Sequence, residues 1–157
     1  MSSVKYRETT MDDLDLLVKL RIDFILDIKP CNDSRLIAEV SRLTKDYFSG
    51  LIAKNQYFGF IGFIDEKTVC GAGLFVYSLP PLYQPIIRTQ GHVLNVFTYP
   101  EYRSKGYGKG LMDFIIEKAK EKQISRLFLN ATKMGEPLYG KCGFAEPEDK
   151  AMILRLI

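Results

Sequence analysis

One stretch gathers the residues best suited to chemistry: Val93-Leu-Asn-Val-Phe-Thr-Tyr-Pro-Glu-Tyr-Arg-Ser-Lys-Gly-Tyr-Gly-Lys-Gly110. An apolar run enters a turn holding Gly106, Gly108 and Gly110, and a helical pattern follows. Glycine carries no Cβ to obstruct a ligand, and the first N–H groups of a helix are unpaired and electropositive. Arg103, Lys105 and Lys109 add cationic side chains, so the stretch reads as a cradle for a polyanion, with a pyrophosphate expected in it. Spacing narrows the choice of phosphate site. A P-loop needs two glycines separated by four residues and then Lys-Ser/Thr, and no such run occurs. A dinucleotide fingerprint needs its third glycine three residues after the second and an acidic residue about twenty residues on. Here Gly110 follows Gly108 by two, and the next apolar run, Arg126-Leu-Phe-Leu-Asn130, ends in an amide. A nicotinamide oxidoreductase is disfavoured accordingly.

Arg103-x-x-Gly106-x-Gly108, preceded by Pro100-Glu-Tyr and followed by an amphipathic helix, resembles the acetyl-CoA signature of the GNAT-type N-acetyltransferase superfamily. A second segment, Gly135-Glu-Pro-Leu-Tyr139-Gly-Lys-Cys-Gly-Phe144, is similar to the Tyr-x-x-x-Gly-Phe segment of the same family. The two together span residues 91 to 145. The resemblance implies a GNAT-like acyl-CoA N-acyltransferase fold, a mixed and mostly antiparallel sheet flanked by helices. It also implies acetyl-CoA as acetyl donor, no metal, and direct attack by a primary amine in a ternary complex. The strands on either side of the cradle would splay apart. The main chain of Val96, Phe97 and Thr98 would then pair with pantetheine, while Arg103, Ser104, Lys105, Gly106, Tyr107, Gly108 and Lys109 hold the pyrophosphate. Asn130 would bridge pantetheine or a water, or cap its strand.

Such chemistry needs a base for the amine proton, donors for the oxyanion and an acid for the departing thiolate. A lysine-like amine, with a pKa of about 10.4, is mostly protonated at neutral pH, so the base matters. His92, the one histidine, is a candidate because imidazole titrates near neutrality. Some members of the family use a histidine here, whereas many place a glutamate at the position of Leu94. Tyr139 matches the family's tyrosine that points its hydroxyl at the thioester sulfur, and a phenol stays protonated at neutral pH. The rival reading is a non-catalytic CoA-binding sensor or regulatory module of the same fold. The acceptor stays open among polyamine, aminoglycoside, amino acid, protein N-terminus and lysine side chain, a small-molecule or peptide amine in each case. A homodimer is compatible with the sequence.

The rest of the chain must position these groups. Its 157 residues, 46% apolar and 26% charged, suit one domain, residues 1–157, with a core that needs no metal or disulfide. A net charge of +3 is too small to argue for nucleic acid. No apolar run is long enough to span a bilayer, and Met1-Ser-Ser-Val-Lys-Tyr-Arg lacks a signal peptide's apolar region, so a cytoplasmic location without membrane attachment is expected. Cys31, Cys70 and Cys142 form neither a disulfide framework nor a zinc site, and Cys142 reads as a small buried hydrophobe.

Val4 to Glu8 predicts a strand, and Thr10 with Asp13 a capping box opening a helix marked by Leu14, Leu17, Val18, Arg21 and Ile25 and ending near Pro30. A second helix after Asp33 or Ser34 carries the stripe Leu36, Ile37, Val40, Leu43, Tyr47, Phe48 and Leu51, expected to pack into the core. In the resembling family the connection Ile28 to Ser34 borders the acceptor. Tyr57–Ile64 and Thr68–Tyr77 form a hairpin across Asp65-Glu-Lys67. The prolines 80, 81 and 85 predict a loop over Ser78–Gln90, with Leu82, Tyr83 and Ile86 giving it an apolar face. A strand over Gly91–Thr98 would set His92, Leu94, Val96 and Thr98 on one face by simple alternation. A helix at Tyr107–Gln123, a strand at Arg126–Asn130, a short helix at Glu136–Lys141 and a final strand at Ala151–Leu156 complete a β-α-α-β-β-β-α-β-α-β order.

Overall fold

The protein, described from a computed structural model over residues 3–83 and 86–157, is built on one five-stranded sheet in the order β1-β2-β3-β4-β5. The strands are β1 (Lys5–Glu8), β2 (Tyr57–Ile64), β3 (Lys67–Tyr83), β4 (Ile86–Thr98) and β5 (Arg126–Phe128). The first four pair antiparallel and β4 with β5 parallel, so the sheet is mixed and mostly antiparallel.

The helices are α1 (Leu14–Ile28), α2 (Ser34–Ala53), α3 (Tyr107–Glu121) and α4 (Glu136–Lys141). Alternation along β2 shows how they cover both faces. Tyr57 and Ile61 pack with Leu17, Val18 and Leu20 of α1 and Phe48 of α2, while Phe60 packs with Leu111, Met112 and Ile115 of α3. Local chemistry sets the helix starts. Asp33 accepts the N–H groups of Arg35 and Leu36 at 3.0 and 3.1 Å, satisfying donors that the first turn of α2 leaves free. A single 3-10 turn, Met11–Asp13, precedes α1. There the Asp13 carboxylate accepts the Thr10 N–H and a two-pronged bond from Arg7 of β1, all at 2.8 Å, and the adjacent guanidinium holds that carboxyl down at about 2. Asp65 and Glu66, both left-handed at φ 44° and 66°, make the two-residue turn between β2 and β3.

Four expectations are corrected. The segment Ser78–Gln90 is mostly strand: Tyr77 pairs with Gln90 and Ser78 with Thr89, then Leu82 with Ile87 and Tyr83 with Ile86. Pro80 and Pro81 fall within the register shift between Ser78 and Leu82, where ladder pairing is interrupted in any case. Pro85 and the side chains of Leu82, Tyr83 and Ile86 lie outside the described residues. Second, β4 carries a bulge. Gly73 faces Leu94 and Gly71 faces Phe97, so Asn95 and Val96 together oppose Ala72, with Asn95 left-handed at φ 57°. The extra residue reverses alternation: Leu94 packs toward α1 and α2, Val96 toward α3, and the four residues expected on one face divide between two.

Third, the α2 stripe is core only in part: Phe48 is buried and Leu51 packs against its cluster, but Leu36, Leu43 and Tyr47 are more than half exposed. Fourth, Ala151–Leu156 forms no strand and is exposed throughout, because among the described residues its apolar alternation has no partner strand to fix it and β5 ends the sheet. No helix among the described residues is long and apolar enough to cross a membrane.

Candidate functional site

The parallel ladder between β4 and β5 is short: Gln90, Gly91 and His92 pair with Arg126, Leu127 and Phe128, and β5 then ends. Beyond His92, β4 runs on to Thr98 with no strand on that side among the described residues, so Val93 to Thr98 present main-chain groups along an open edge. Val96 and Phe97 lie on this edge. The Thr98 carbonyl, by contrast, already accepts the Arg103 Nε–H at 2.9 Å.

The edge leads through a 3-10 turn, Pro100–Tyr102, into the cradle. Ser104 and Gly106 are left-handed at φ 61° and 81°, which turns successive N–H groups inward as an anion nest. Ser104, Lys105 and Gly106 have no acceptor for these N–H groups among the described residues, and Tyr107, Gly108 and Lys109 occupy the first turn of α3, which has no intrahelical acceptor to offer. A Cβ on Gly108 would meet only ordinary contacts, 3.5 Å from Thr98 and 3.6 Å from Leu138, so packing within the chain does not require glycine there. Gly110 differs: its Cβ would lie 2.2 Å from the Tyr6 hydroxyl oxygen. That hydroxyl donates to the Tyr107 carbonyl at 3.0 Å, and burial pushes the phenol up to about 12, so it stays a donor. Gly110 therefore serves the docking of β1 on α3, correcting its place among ligand-facing glycines.

The cations are less free than their positions suggest. Arg103 pairs with Asp27 of α1 at 2.7 Å, and Lys109 with Asp113 at 2.6 Å. Lys105 donates to the Glu101 carbonyl at 3.0 Å.

His92 and Tyr139 sit on opposite faces of the sheet. His92 shares the α1 and α2 face with Leu94, pairs across the ladder with Phe75 and makes an edge-to-face contact with Phe128, ring centroids 5.0 Å apart. Burial lowers its pKa from the ordinary value, leaving a neutral imidazole at neutral pH. Tyr139 of α4 packs on the α3 side, edge-to-face with Phe144 at 6.1 Å. Burial, then the neighbouring Cys142, raises its pKa. Cys142 is itself raised, by burial first and then Asp113, so it is held as a thiol rather than a thiolate. Asn130 lies exposed just past β5.

The sequence reading missed a pocket of about 570 Å³ on the His92 face, between α1, α2 and β4. Its lining includes Arg21, Leu43, Tyr47, Phe48, Leu94 and Asn95. Leu94 lies two residues, or roughly 7 Å of strand, from His92. The available signal was Arg21, a charge within an otherwise apolar helical series. The described residues contain no group of His, Cys, Asp or Glu able to hold a metal.

Residues 24–144 match the model of the Acetyltransferase (GNAT) family, and the chain belongs to that family. Among solved structures, it resembles a predicted acetyltransferase from Clostridium acetobutylicum, determined with acetyl-CoA, at 27% identity, 97% coverage of this chain and 96% of that one, TM-score 0.80. A GCN5-related N-acetyltransferase from Ralstonia eutropha JMP134 gives 26% identity, 97% and 99% coverage and the same TM-score. A glucosamine-6-phosphate N-acetyltransferase from Arabidopsis thaliana, at 15% identity, 97% and 98% coverage and TM-score 0.67, shares the fold. No curated protein matches the chain.

Proposed function

We propose that residues 1–157 act as one unit, an acetyl-CoA-dependent N-acetyltransferase that moves an acetyl group to a primary amine by direct attack in a ternary complex. The observation that carries this reading is the open edge of β4 from Val93 to Thr98, running directly into the nest of free N–H groups at Ser104–Lys109. Bound there, acetyl-CoA supplies an activated acetyl thioester. The chain's own residues do the rest. The main chain of Val96 and Phe97 pairs with the pantetheine arm as an added strand would, and the nest with the α3 N-terminus takes the pyrophosphate. Arg103 acts chiefly by tying α1 to the end of β4 through Asp27 and Thr98, which steadies the nest. Asn130, just beyond β5, is available to bridge the arm.

The division of His92 and Tyr139 between the two faces supports separate duties. His92, neutral and on the pocket side, accepts the amine proton. Tyr139, protonated and on the α3 side, donates to the departing thiolate sulfur. The pocket between α1, α2 and β4, on the same face as His92, admits the acceptor. Cys142, held as a thiol, is poorly suited to forming an acyl-enzyme, which agrees with direct attack.

Thiol release from acetyl-CoA, corrected for hydrolysis and measured across a panel of primary amines, tests this. At least one amine should raise release above the hydrolytic background. Tight CoA binding with no amine-dependent release would instead favour the sensor reading.

A further inference from the structure

We propose that the pocket between α1, α2 and β4 receives an apolar amine carrying a carboxylate, of which an apolar amino acid is the simplest example, and that Arg21 binds the carboxylate. The inference rests on the acyl-transfer reading and names the acceptor class for it. Among the described residues, Arg21 is the one charged residue in the pocket's lining. Unlike Arg7, Arg42 and Arg103, each ion-paired to a carboxylate, it has no acidic partner within ion-pair distance among the described residues. Its Nη1 donates to Asn95 Oδ1 at 2.6 Å and its guanidinium lies 5.6 Å from the Phe24 ring centroid, leaving most of a five-donor fork without an acceptor among the described residues.

That fork is held in place from below. The bulge sets Asn95 in the left-handed region, and the Asn95 amide nitrogen donates to the Tyr57 hydroxyl at 3.4 Å. Tyr57 is buried and stacked on Phe48 at 4.4 Å. An arginine aimed by a chain anchored in the core needs little reordering to meet a planar carboxylate. Because Arg21 is bonded to Asn95 on β4, a carboxylate held there delivers an amine on the adjoining carbon to the same strand as His92. Leu43 and Tyr47, each 52% exposed, stand with Leu94 along the wall and would lose water to an apolar side chain. A polycation such as a polyamine or aminoglycoside meets a positive charge and no carboxylate in this lining, which disfavours it.

The test compares phenylalanine, phenylalaninamide and spermidine as acceptors, with calorimetry of phenylalanine binding to the CoA-loaded protein as a readout independent of turnover. Phenylalanine should exceed its amide in kcat/KM by about ten- to a hundredfold, the scale of a charge-assisted hydrogen-bonded pair. Arg21→Gln should bring that ratio close to one and weaken phenylalanine binding similarly, while Arg21→Lys, which keeps the charge, should retain part of both. A ratio unchanged in folded Arg21→Gln overturns the proposal, as does preference for spermidine over phenylalanine in the parent protein, which needs no variant. Arg21-dependent phenylalanine binding without acetylation would keep the pocket assignment and sink the transferase reading. Acetylation of amines indifferent to Arg21 would do the reverse.

Discussion

Tyr139 is half-buried, protonated and set in a short helix against Phe144, so its ring and its hydroxyl can be separated experimentally. Tyr139→Phe keeps the packing and removes the proton donor. Turnover should fall about 10²–10⁴-fold with acetyl-CoA affinity little changed, as steady-state kinetics and calorimetry would show; a folded variant at the parent rate, with chemistry limiting, excludes the acid role. His92 gives a different signature. Since burial lowers its pKa, the rate should rise with pH through a midpoint below the ordinary histidine value of about 6.5, and His92→Ala should flatten that limb. A pH–rate profile that keeps its limb in the variant would make His92 structural. Both residues could be picked out in the sequence, one as the sole histidine and one inside a recurrent motif. Arg21 stands out in the sequence only as a charge in an apolar helical series, and Asn95 not at all. Their pairing across 74 positions depends on a bulge that adds one residue to β4, and alternation in the sequence carries no mark of it.

At the scale of elements, helix ends and hairpins were legible because their determinants are local. Asp33 caps α2 from the adjacent position, and a two-residue left-handed turn joins β2 to β3. What failed depended on partners distant in sequence. The α2 stripe has the spacing of a core face, but much of it stands over a pocket instead of a neighbouring element, and the C-terminal apolar run has no strand beside it. The glycine motif shows the same limit, since a Cβ on Gly108 would make only ordinary contacts while Gly110 is required by Tyr6 from the first strand. Gly108→Val should therefore leave the thermal melt close to the parent's and reduce acetyl-CoA binding below detection by calorimetry. A folded Gly108→Val protein with unchanged affinity would remove the cradle from the site.

Taken as a whole, the molecule sets the nest and Tyr139 on the α3 side of β4 and the Arg21 pocket and His92 on the α1 and α2 side, with the open edge of β4 between them. The proposed direct transfer would use that arrangement: an amine entering from one face would meet a thioester laid along the edge from the other, with no need of a protein nucleophile. The most direct measurement is mass spectrometry of an acceptor amine, and of the intact protein, after incubation with acetyl-CoA labelled in its acetyl group. The label should appear on the amine nitrogen in a one-to-one ratio with CoA released, with none retained by the protein. Label held on the protein, at Cys142 or elsewhere, or CoA released only with free acetate, would contradict direct transfer.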